Sequence, residues 1–203
     1  MIRRPIISAI LILLPIVIVT VIEYTSRKFR VSPEITRKLV HITLGIVATL
    51  GFIEGPIWLY VFIVSILALF IAISFRKKLL SSINGVKRPT YGEVFLPIGI
   101  LAPLVLVSHT PYIYVASILI LTLADSGAGL TVYLLNKNKK TIAGSLVFFA
   151  IASVVIILCT NSPLLMAMGV ALGVTVVERF SPFGSDNLTV PLAATALMLL
   201  FKI

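Results

Sequence analysis

The sequence has few of the residues on which secreted domains and soluble enzymes usually depend. It contains one cysteine, Cys159, and only seven acidic residues among 203. A single cysteine cannot form an internal disulfide, and Cys159 has no other ligand at metal-binding spacing, so a disulfide framework and a cysteine-ligated zinc site are excluded. Charged residues make up 12% of the chain, which is too little polar surface to cover a soluble domain of this length.

The common motifs of soluble nucleotide enzymes and hydrolases are also absent. There is no Gly-x-x-x-x-Gly-Lys-[Ser/Thr] loop, and the run from Gly127 to Gly129 lacks the third glycine of a dinucleotide-binding motif. Neither a His-Glu-x-x-His metal motif nor a Gly-x-Ser-x-Gly nucleophile motif occurs. These absences exclude familiar soluble machinery, but they do not exclude catalysis.

Long apolar runs fill most of the chain. Hydrophobic residues make up 59% of it and the mean hydropathy is +1.15, and a helix needs roughly 17–25 mostly apolar residues to cross the hydrocarbon of a bilayer. We therefore predict an all-α integral membrane protein, a bundle of about eight transmembrane helices that forms a single domain over residues 1–203. The predicted spans are Pro5 to Ile22, Leu39 to Ile53, Pro56 to Phe75, Val94 to Val107, Pro111 to Leu135, Ser145 to Cys159, Pro163 to Val177 and Leu188 to Phe201.

The basic residues alternate between the gaps that separate these spans. Fourteen of the 17 lysines and arginines lie in or beside the first, third, fifth and seventh gaps. Because short loops rich in Lys and Arg stay in the cytoplasm, we predict that these loops are cytoplasmic and that both termini face the other side. Topology and attraction to lipid phosphates explain the net charge of +10, so the expected partner is the lipid bilayer and not nucleic acid.

Two polar clusters accompany the first and third loops. Arg37, Lys38 and His41 are three or four residues apart, so they project from one side of a helix at the head of the second span. Arg88, just before the fourth span, can bind a phosphate through two parallel hydrogen bonds. Ordinary snorkelling of basic side chains and a loop that only sets topology are the alternative explanations.

A third cluster begins with Asp125, which lies well inside the fifth span. An aspartate there costs about 2.5–3.5 kcal/mol on insertion scales, so it is a functional candidate, with a purely structural ion pair as the alternative. The loop after this span resembles an anion-binding nest at the start of a helix, although a loop that merely fixes topology is a competing account. The residues of this segment are Lys139, Lys140, Thr141, Gly144 and Ser145.

The fourth cluster, Glu178-Arg179 followed by Asp186 and Asn187, lies between the last two spans. Mg²⁺ is usually held by one or two carboxylates together with substrate phosphates. Asp125, Glu178 and Asp186 therefore suffice for one ion, and Asn187 can add a neutral oxygen. The alternative is that Asp186 and Asn187 simply cap the last helix.

Together these blocks resemble the polyprenol kinase family, which includes phytol kinase, dolichol kinase and the CTP-dependent diacylglycerol kinases. The resemblance extends over about residues 37–191. The matching blocks are Arg37-Lys38-x-x-His41, Arg88-x-x-Tyr91-Gly92, Asp125-Ser126-x-Ala128, Lys139-Lys140-Thr141-x-x-Gly144-Ser145, and Glu178 followed by Asp186-Asn187-Leu188-x-x-Pro191. Members often carry Gly-Arg-x-x-Gly where this chain has Thr131 to Asn136, and an acidic residue where it has Ala143.

The resemblance implies transfer of the terminal phosphate of a nucleoside triphosphate, typically CTP, to the hydroxyl of a long isoprenoid alcohol such as phytol, geranylgeraniol or dolichol, with Mg²⁺ as cofactor. The expected catalytic residues are Asp125, His41 and Glu178, and the expected metal ligands are Asp125, Glu178, Asp186 and Asn187. The expected nucleotide- and phosphate-binding residues are Arg37, Lys38, Arg88, Lys139, Lys140, Thr141, Gly144 and Ser145.

Two other functions are compatible with the sequence. A cytidylyltransferase would make a CDP-lipid and release pyrophosphate, whereas a transporter would be expected to show paired repeats and a polar path across the bilayer. The choice of alcohol, CTP or ATP as donor, and the oligomeric state are left open.

Overall fold

The computed structural model describes residues 3–77, 90–107 and 110–203, with only the backbone for residues 3–13, 75 and 77. Within these ranges all regular structure is helical, so the prediction of an all-α fold is confirmed. The described residues form eight helical rods, one for each predicted span. Contacts divide the chain into two compact units, Met1–Pro89 and Thr90–Ile203. The single transmembrane domain stays a prediction.

The described part of the first unit, residues 3–77, consists of α1 (Arg3–Phe29), α2 (Pro33–Glu54) and α3 (Ile57–Lys77). α1 packs against α2, and α2 against α3. α1 continues seven residues beyond its predicted end because Glu23 and Arg27, one turn apart, form an ion pair at 2.6 Å that supports the helix through its charged section. Pro33 begins α2, where its missing N–H costs nothing.

Residues 90–107 and 110–203 of the second unit contain six α-helices. They are α4 (Gly92–Leu101), α5 (Pro111–Leu119), α6 (Asp125–Leu134), α7 (Ile142–Thr160), α8 (Leu164–Phe180) and α9 (Asp186–Leu200). A 3₁₀ turn, Ala102–Val105, extends α4, and a π-helical segment, Ile120–Ala124, joins α5 to α6 in one rod. α7 packs against α5, α6 and α8, while α9 packs against α4, α5 and α8.

Buried side chains from α5, α7, α8 and α9 form the core of the second unit; the largest include Tyr114, Phe148 and Met198. The Tyr114 hydroxyl donates to the carbonyl oxygen of Ile100 at 2.8 Å. That carbonyl lies next to the 3₁₀ turn, where Pro103 contributes no N–H. The tyrosine thus satisfies a backbone acceptor where the α-helical pattern ends.

Two glycines set how closely the helices of this unit approach. A Cβ on Gly99 of α4 would collide with the backbone carbonyl of Asn187, so the first turn of α9 lies directly against α4. A Cβ on Gly127 of α6 would lie 2.6 Å from Cδ1 of Ile151 on α7. These close contacts position the beginnings of α6 and α9, which carry Asp125 and Asp186 as their first residues.

Four segments of the described chain are long and apolar enough to cross a membrane, which is compatible with a membrane protein: Pro33–Glu54, Ile57–Ser74, Pro111–Leu134 and Ile142–Thr160. Gly92–Val105 and Asp186–Leu200 are apolar but shorter. That all eight rods cross the membrane stays a prediction. The sides of the membrane on which the loops and the termini lie also stay predictions.

Candidate active site

Three carboxylates converge in the second unit. Asp125 begins α6, Glu178 lies in the last turn of α8, and Asp186 begins α9. One oxygen from each lies within 4.8 Å of the other two. Asp125 is 5% exposed and Glu178 3% exposed, so at least two of these acids require compensation for the loss of water.

Lys140, in the loop before α7, supplies part of that compensation. Its Nζ lies 2.7 Å from Oε1 of Glu178 and 2.8 Å from Oδ2 of Asp186. The ammonium also donates to the backbone carbonyl of Glu178. Burial by itself lowers the pKa of Lys140, but the negative charges of Asp186 and Glu178 together outweigh it, so the pKa lies above its usual value. Lys140 therefore stays positively charged at neutral pH and links the two acids.

The π-helical segment Ile120–Ala124 immediately precedes Asp125. A π turn holds one residue more than an α turn, which rotates the next residues of the rod by about 100° around its axis. The direction of Asp125 therefore depends on this irregularity. Such segments occur often at functional sites, and the only sequence signal near this one is the run of small residues after Asp125.

Ser126, next to Asp125, is fully buried. Within the described part of the chain its hydroxyl has no hydrogen-bond partner. A buried hydroxyl left unpaired costs roughly 1–3 kcal/mol, so the protein carries an unsatisfied polar group directly beside a carboxylate of the cluster. The sequence points to Ser126 only through its place in the block Asp125-Ser126-x-Ala128.

The start of α7 lies beside the Lys140 loop. Thr141 is its N-cap, and the Thr141 hydroxyl accepts a hydrogen bond from the N–H of Gly144 at 3.0 Å. A Cβ on Gly144 would lie 3.2 Å from the Ala128 carbonyl oxygen. Both residues therefore have structural roles, capping and close packing. The N–H groups of Ile142 and Ala143 have no acceptor within the helix, and both residues are exposed.

Ser145 and Arg179 form a link that sequence reasoning missed. Nη1 of Arg179, at the end of α8, donates to Oγ of Ser145 at 3.1 Å. The available signal was its position: Arg179 is the single basic residue of the seventh gap and directly follows Glu178.

Asn187 holds the beginning of α9 in place. Its Nδ2 donates to the carbonyl oxygen of Gly92 at 2.6 Å, and the residue is 5% exposed. Its backbone N–H donates to Oδ1 of Asp186 at 3.0 Å. Asn187, predicted as a metal ligand, thus serves first to join the starts of α9 and α4. A metal-binding role for its remaining oxygen stays a prediction.

The connection from α8 to α9 is tied to the same place. The N–H of Tyr91 donates to the carbonyl oxygen of Phe183 at 2.9 Å. Phe183 and Gly184 both have left-handed backbones, with φ of 51° and 82°, and a Cβ on Gly184 would lie 2.5 Å from the Gly92 nitrogen. Only glycine fits at that position, so the short turn that delivers Asp186 has a fixed conformation.

Five further residues were predicted to take part in catalysis or in phosphate binding. Arg37, Lys38 and His41 lie on α2 in the first unit, as the predicted helix face requires, with Lys38 and His41 each 5% exposed. Lys139 is exposed next to Lys140, and Arg88 falls outside the described residues. The roles assigned to these five residues stay predictions.

The fold and the cluster define an all-helical, strongly apolar protein that gathers acids and a lysine from separate stretches of sequence. A phytol kinase from Synechocystis sp. is 30% identical to the chain over an alignment of 186 residues, and the match covers 82% of this chain and 79% of that protein. The chain belongs to the phytol kinase family, as a distant member. No family model and no solved structure matches it. The relationship supports a kinase-type enzyme.

Proposed function

We propose that the protein is a membrane lipid-alcohol kinase. It transfers the terminal phosphate of CTP, or of another nucleoside triphosphate, to the hydroxyl of an isoprenoid alcohol such as phytol, geranylgeraniol or dolichol. The observation that carries the proposal is the convergence of Asp125, Glu178 and Asp186 around Lys140. Family membership supplies the reaction class, since the relative is a phytol kinase.

The three carboxylates fit a magnesium ion. Mg²⁺ binds oxygen at about 2.0–2.1 Å, so ligands on opposite sides of the ion are about 4.2 Å apart. The carboxylate oxygens of the cluster lie within 4.8 Å of one another, so a small inward movement would place all three on one ion. Asp125, Glu178 and Asp186 would hold it, and the bound ion would neutralise charge on the phosphates.

The remaining chemistry belongs to the protein's own groups. Phosphoryl transfer depends mainly on positioning and on neutralising charge. The alcohol oxygen bonds to the terminal phosphorus while the bond from that phosphorus to the bridging oxygen of the nucleoside diphosphate breaks. The hydroxyl proton passes to a carboxylate of the cluster, or alternatively to His41, and the diphosphate leaves.

Positively charged side chains bind the nucleoside triphosphate that donates the phosphate. Lys139 is exposed and Lys140 reaches the cluster, and the open N–H groups at the start of α7 favour an anion. Lys140 would exchange one of its carboxylate partners for a phosphate oxygen as the donor binds. Arg37, Lys38 and Arg88 complete the set of proposed phosphate-binding residues.

The apolar helices account for the acceptor. An isoprenoid chain dissolves in the bilayer and would enter between helices, whereas the nucleotide comes from water. We place the site near the cytoplasmic surface, where the basic loops are predicted to lie.

The proposal is tested with purified protein in detergent, by following labelled phosphate from CTP to geranylgeraniol or phytol. We expect Asp125→Asn and Lys140→Ala to abolish transfer while the protein keeps its helical content and elutes as a single species. Lys137→Gln, which removes a charge from an exposed residue of the same loop, should retain activity. Full activity in both site variants would overturn the assigned roles.

The by-product separates the kinase from a cytidylyltransferase. A kinase releases CDP, whereas an enzyme that forms a CDP-lipid releases pyrophosphate. Substrate flux into liposomes without phosphate transfer would instead identify a transporter.

A further inference from the structure

Two cations lie beside Glu178, and the structure treats them differently. Lys140 binds the Glu178 and Asp186 carboxylates directly. Arg179, the very next residue on α8, donates to the neutral Ser145 hydroxyl. Within residues 3–77, 90–107 and 110–203, no carboxylate pairs with Arg179. Its positive charge is therefore left without a matching negative charge in the protein as described.

The surroundings of Arg179 favour an anion. Ser145 lies in the first helical turns of α7, one turn after the Thr141 cap. The residues whose N–H groups have no acceptor within that helix, Ile142 and Ala143, are exposed. A guanidinium has five N–H donors in a planar fork, so the bond to Ser145 leaves most of them for another acceptor.

We infer that Arg179 binds a phosphate of the nucleotide at the start of α7. The inference rests on the proposed kinase function, and it gives Arg179 a phosphate-binding role that the sequence motifs did not indicate. The Lys140–Glu178 and Ser145–Arg179 contacts join consecutive residues of α8 to the same short stretch, 140–145. Lys140 thus serves the transferred phosphate beside the carboxylates, and Arg179 holds a neighbouring phosphate of the same donor.

A purely structural role makes a different prediction. If Arg179 only joins α8 to α7, a neutral side chain that still donates to Ser145 should replace it. Arg179→Gln keeps an N–H donor and removes the charge, whereas Arg179→Lys keeps the charge and loses the fork that binds phosphate through two hydrogen bonds. Comparing these two variants separates the effect of the positive charge of Arg179 from the effect of its hydrogen bond to Ser145.

The experiment measures binding of inorganic tripolyphosphate and of CTP to the full chain by calorimetry, and KM for CTP and for the alcohol. We expect Arg179→Gln to weaken both affinities and raise KM for CTP by about tenfold or more, as for loss of one charge-assisted hydrogen bond. KM for the alcohol should not change. Arg179→Lys should fall between Arg179→Gln and the unsubstituted protein.

Lys137→Gln serves as the matched control, because it removes one positive charge from the exposed part of the neighbouring loop. Binding as tight in Arg179→Gln as in the unsubstituted protein, or equal losses in Lys137→Gln and Arg179→Gln, would overturn the inference. Should Arg179→Gln fail to fold, Arg179→Met removes the charge from a side chain of medium length, and unchanged CTP binding in Arg179→Met overturns the inference equally.

Failure of the inference and failure of the kinase proposal give different results. Transfer with an unchanged KM for CTP in Arg179→Gln refutes the role of Arg179 and leaves the kinase intact. Arg179-dependent binding of tripolyphosphate without transfer to any alcohol refutes the kinase and leaves the anion site. Protein that neither binds tripolyphosphate nor transfers phosphate refutes both.

Discussion

The two compact units each contain a well-formed ion pair, but they build it differently. In the first unit Arg27 and Glu23 pair one helical turn apart. In the second unit Lys140 joins Glu178 and Asp186, which are 38 and 46 positions away along the chain. The first pair needs only its own helix, whereas the second exists only while α7, α8 and α9 are packed together. The second should therefore be far more sensitive to substitution, both at the site and away from it.

The largest effect is expected from Lys140→Met, which removes the shared cation and leaves two acids facing each other. Loss of one partner from a buried ion pair costs about 3–5 kcal/mol, and because Lys140 is 27% exposed we expect the lower end of that range in the free energy of unfolding. Added Mg²⁺ should restore more stability to this variant than to the unsubstituted protein, since the ion can take the place of the ammonium. Thermal unfolding against Mg²⁺ concentration measures this, and identical metal responses in the two proteins would argue against a metal site.

The second-largest loss of stability is expected from Gly99→Ala, which leaves every charged residue in place. The added methyl group would press on the backbone of Asn187, and such overpacking costs about 1–3 kcal/mol. Because Asp186 adjoins that contact, we also expect most phosphate-transfer activity to be lost. Gly169→Ala on α8 is the control: nothing lies within 4 Å of the added atom, so stability and activity should be unchanged or slightly higher. Equal behaviour of the two variants would contradict the close approach of α4 and α9.

The smallest effect is expected from Arg27→Gln in the first unit. The Arg27 side chain is 62% exposed, and an exposed pair one turn apart contributes about 0.3–0.5 kcal/mol. The free energy of unfolding, measured with denaturant, should fall by no more than this amount. Raised salt should remove the difference between the variant and the unsubstituted protein. A loss as large as that of Lys140→Met would mean that the contrast between the units is wrong.

Sequence patterns predicted the helices well because hydropathy acts over long stretches. Each predicted span corresponds to a helical rod. The main difference is that α1 extends to Phe29 through charged residues that hydropathy excluded from the predicted span, and the Glu23–Arg27 pair supports this extension. Helical spacing also placed Lys38 and His41 correctly on one helix.

The contacts within the site could not be predicted in the same way. That Lys140 would lie between Glu178 and Asp186 depends on how three helices pack, which no local pattern encodes. The π segment before Asp125 changes the register by one residue without a distinctive composition. The link from Arg179 to Ser145, and the use of the Asn187 amide to hold Gly92, likewise appear only once distant segments meet.

The position of Lys140 bears on how the protein matures. With an ammonium already seated between Glu178 and Asp186, newly made chains can close this pocket before any inorganic cofactor arrives. Under the proposed magnesium-dependent kinase function, chelating agents should then abolish phosphate transfer without unfolding the protein, and added Mg²⁺ should restore transfer.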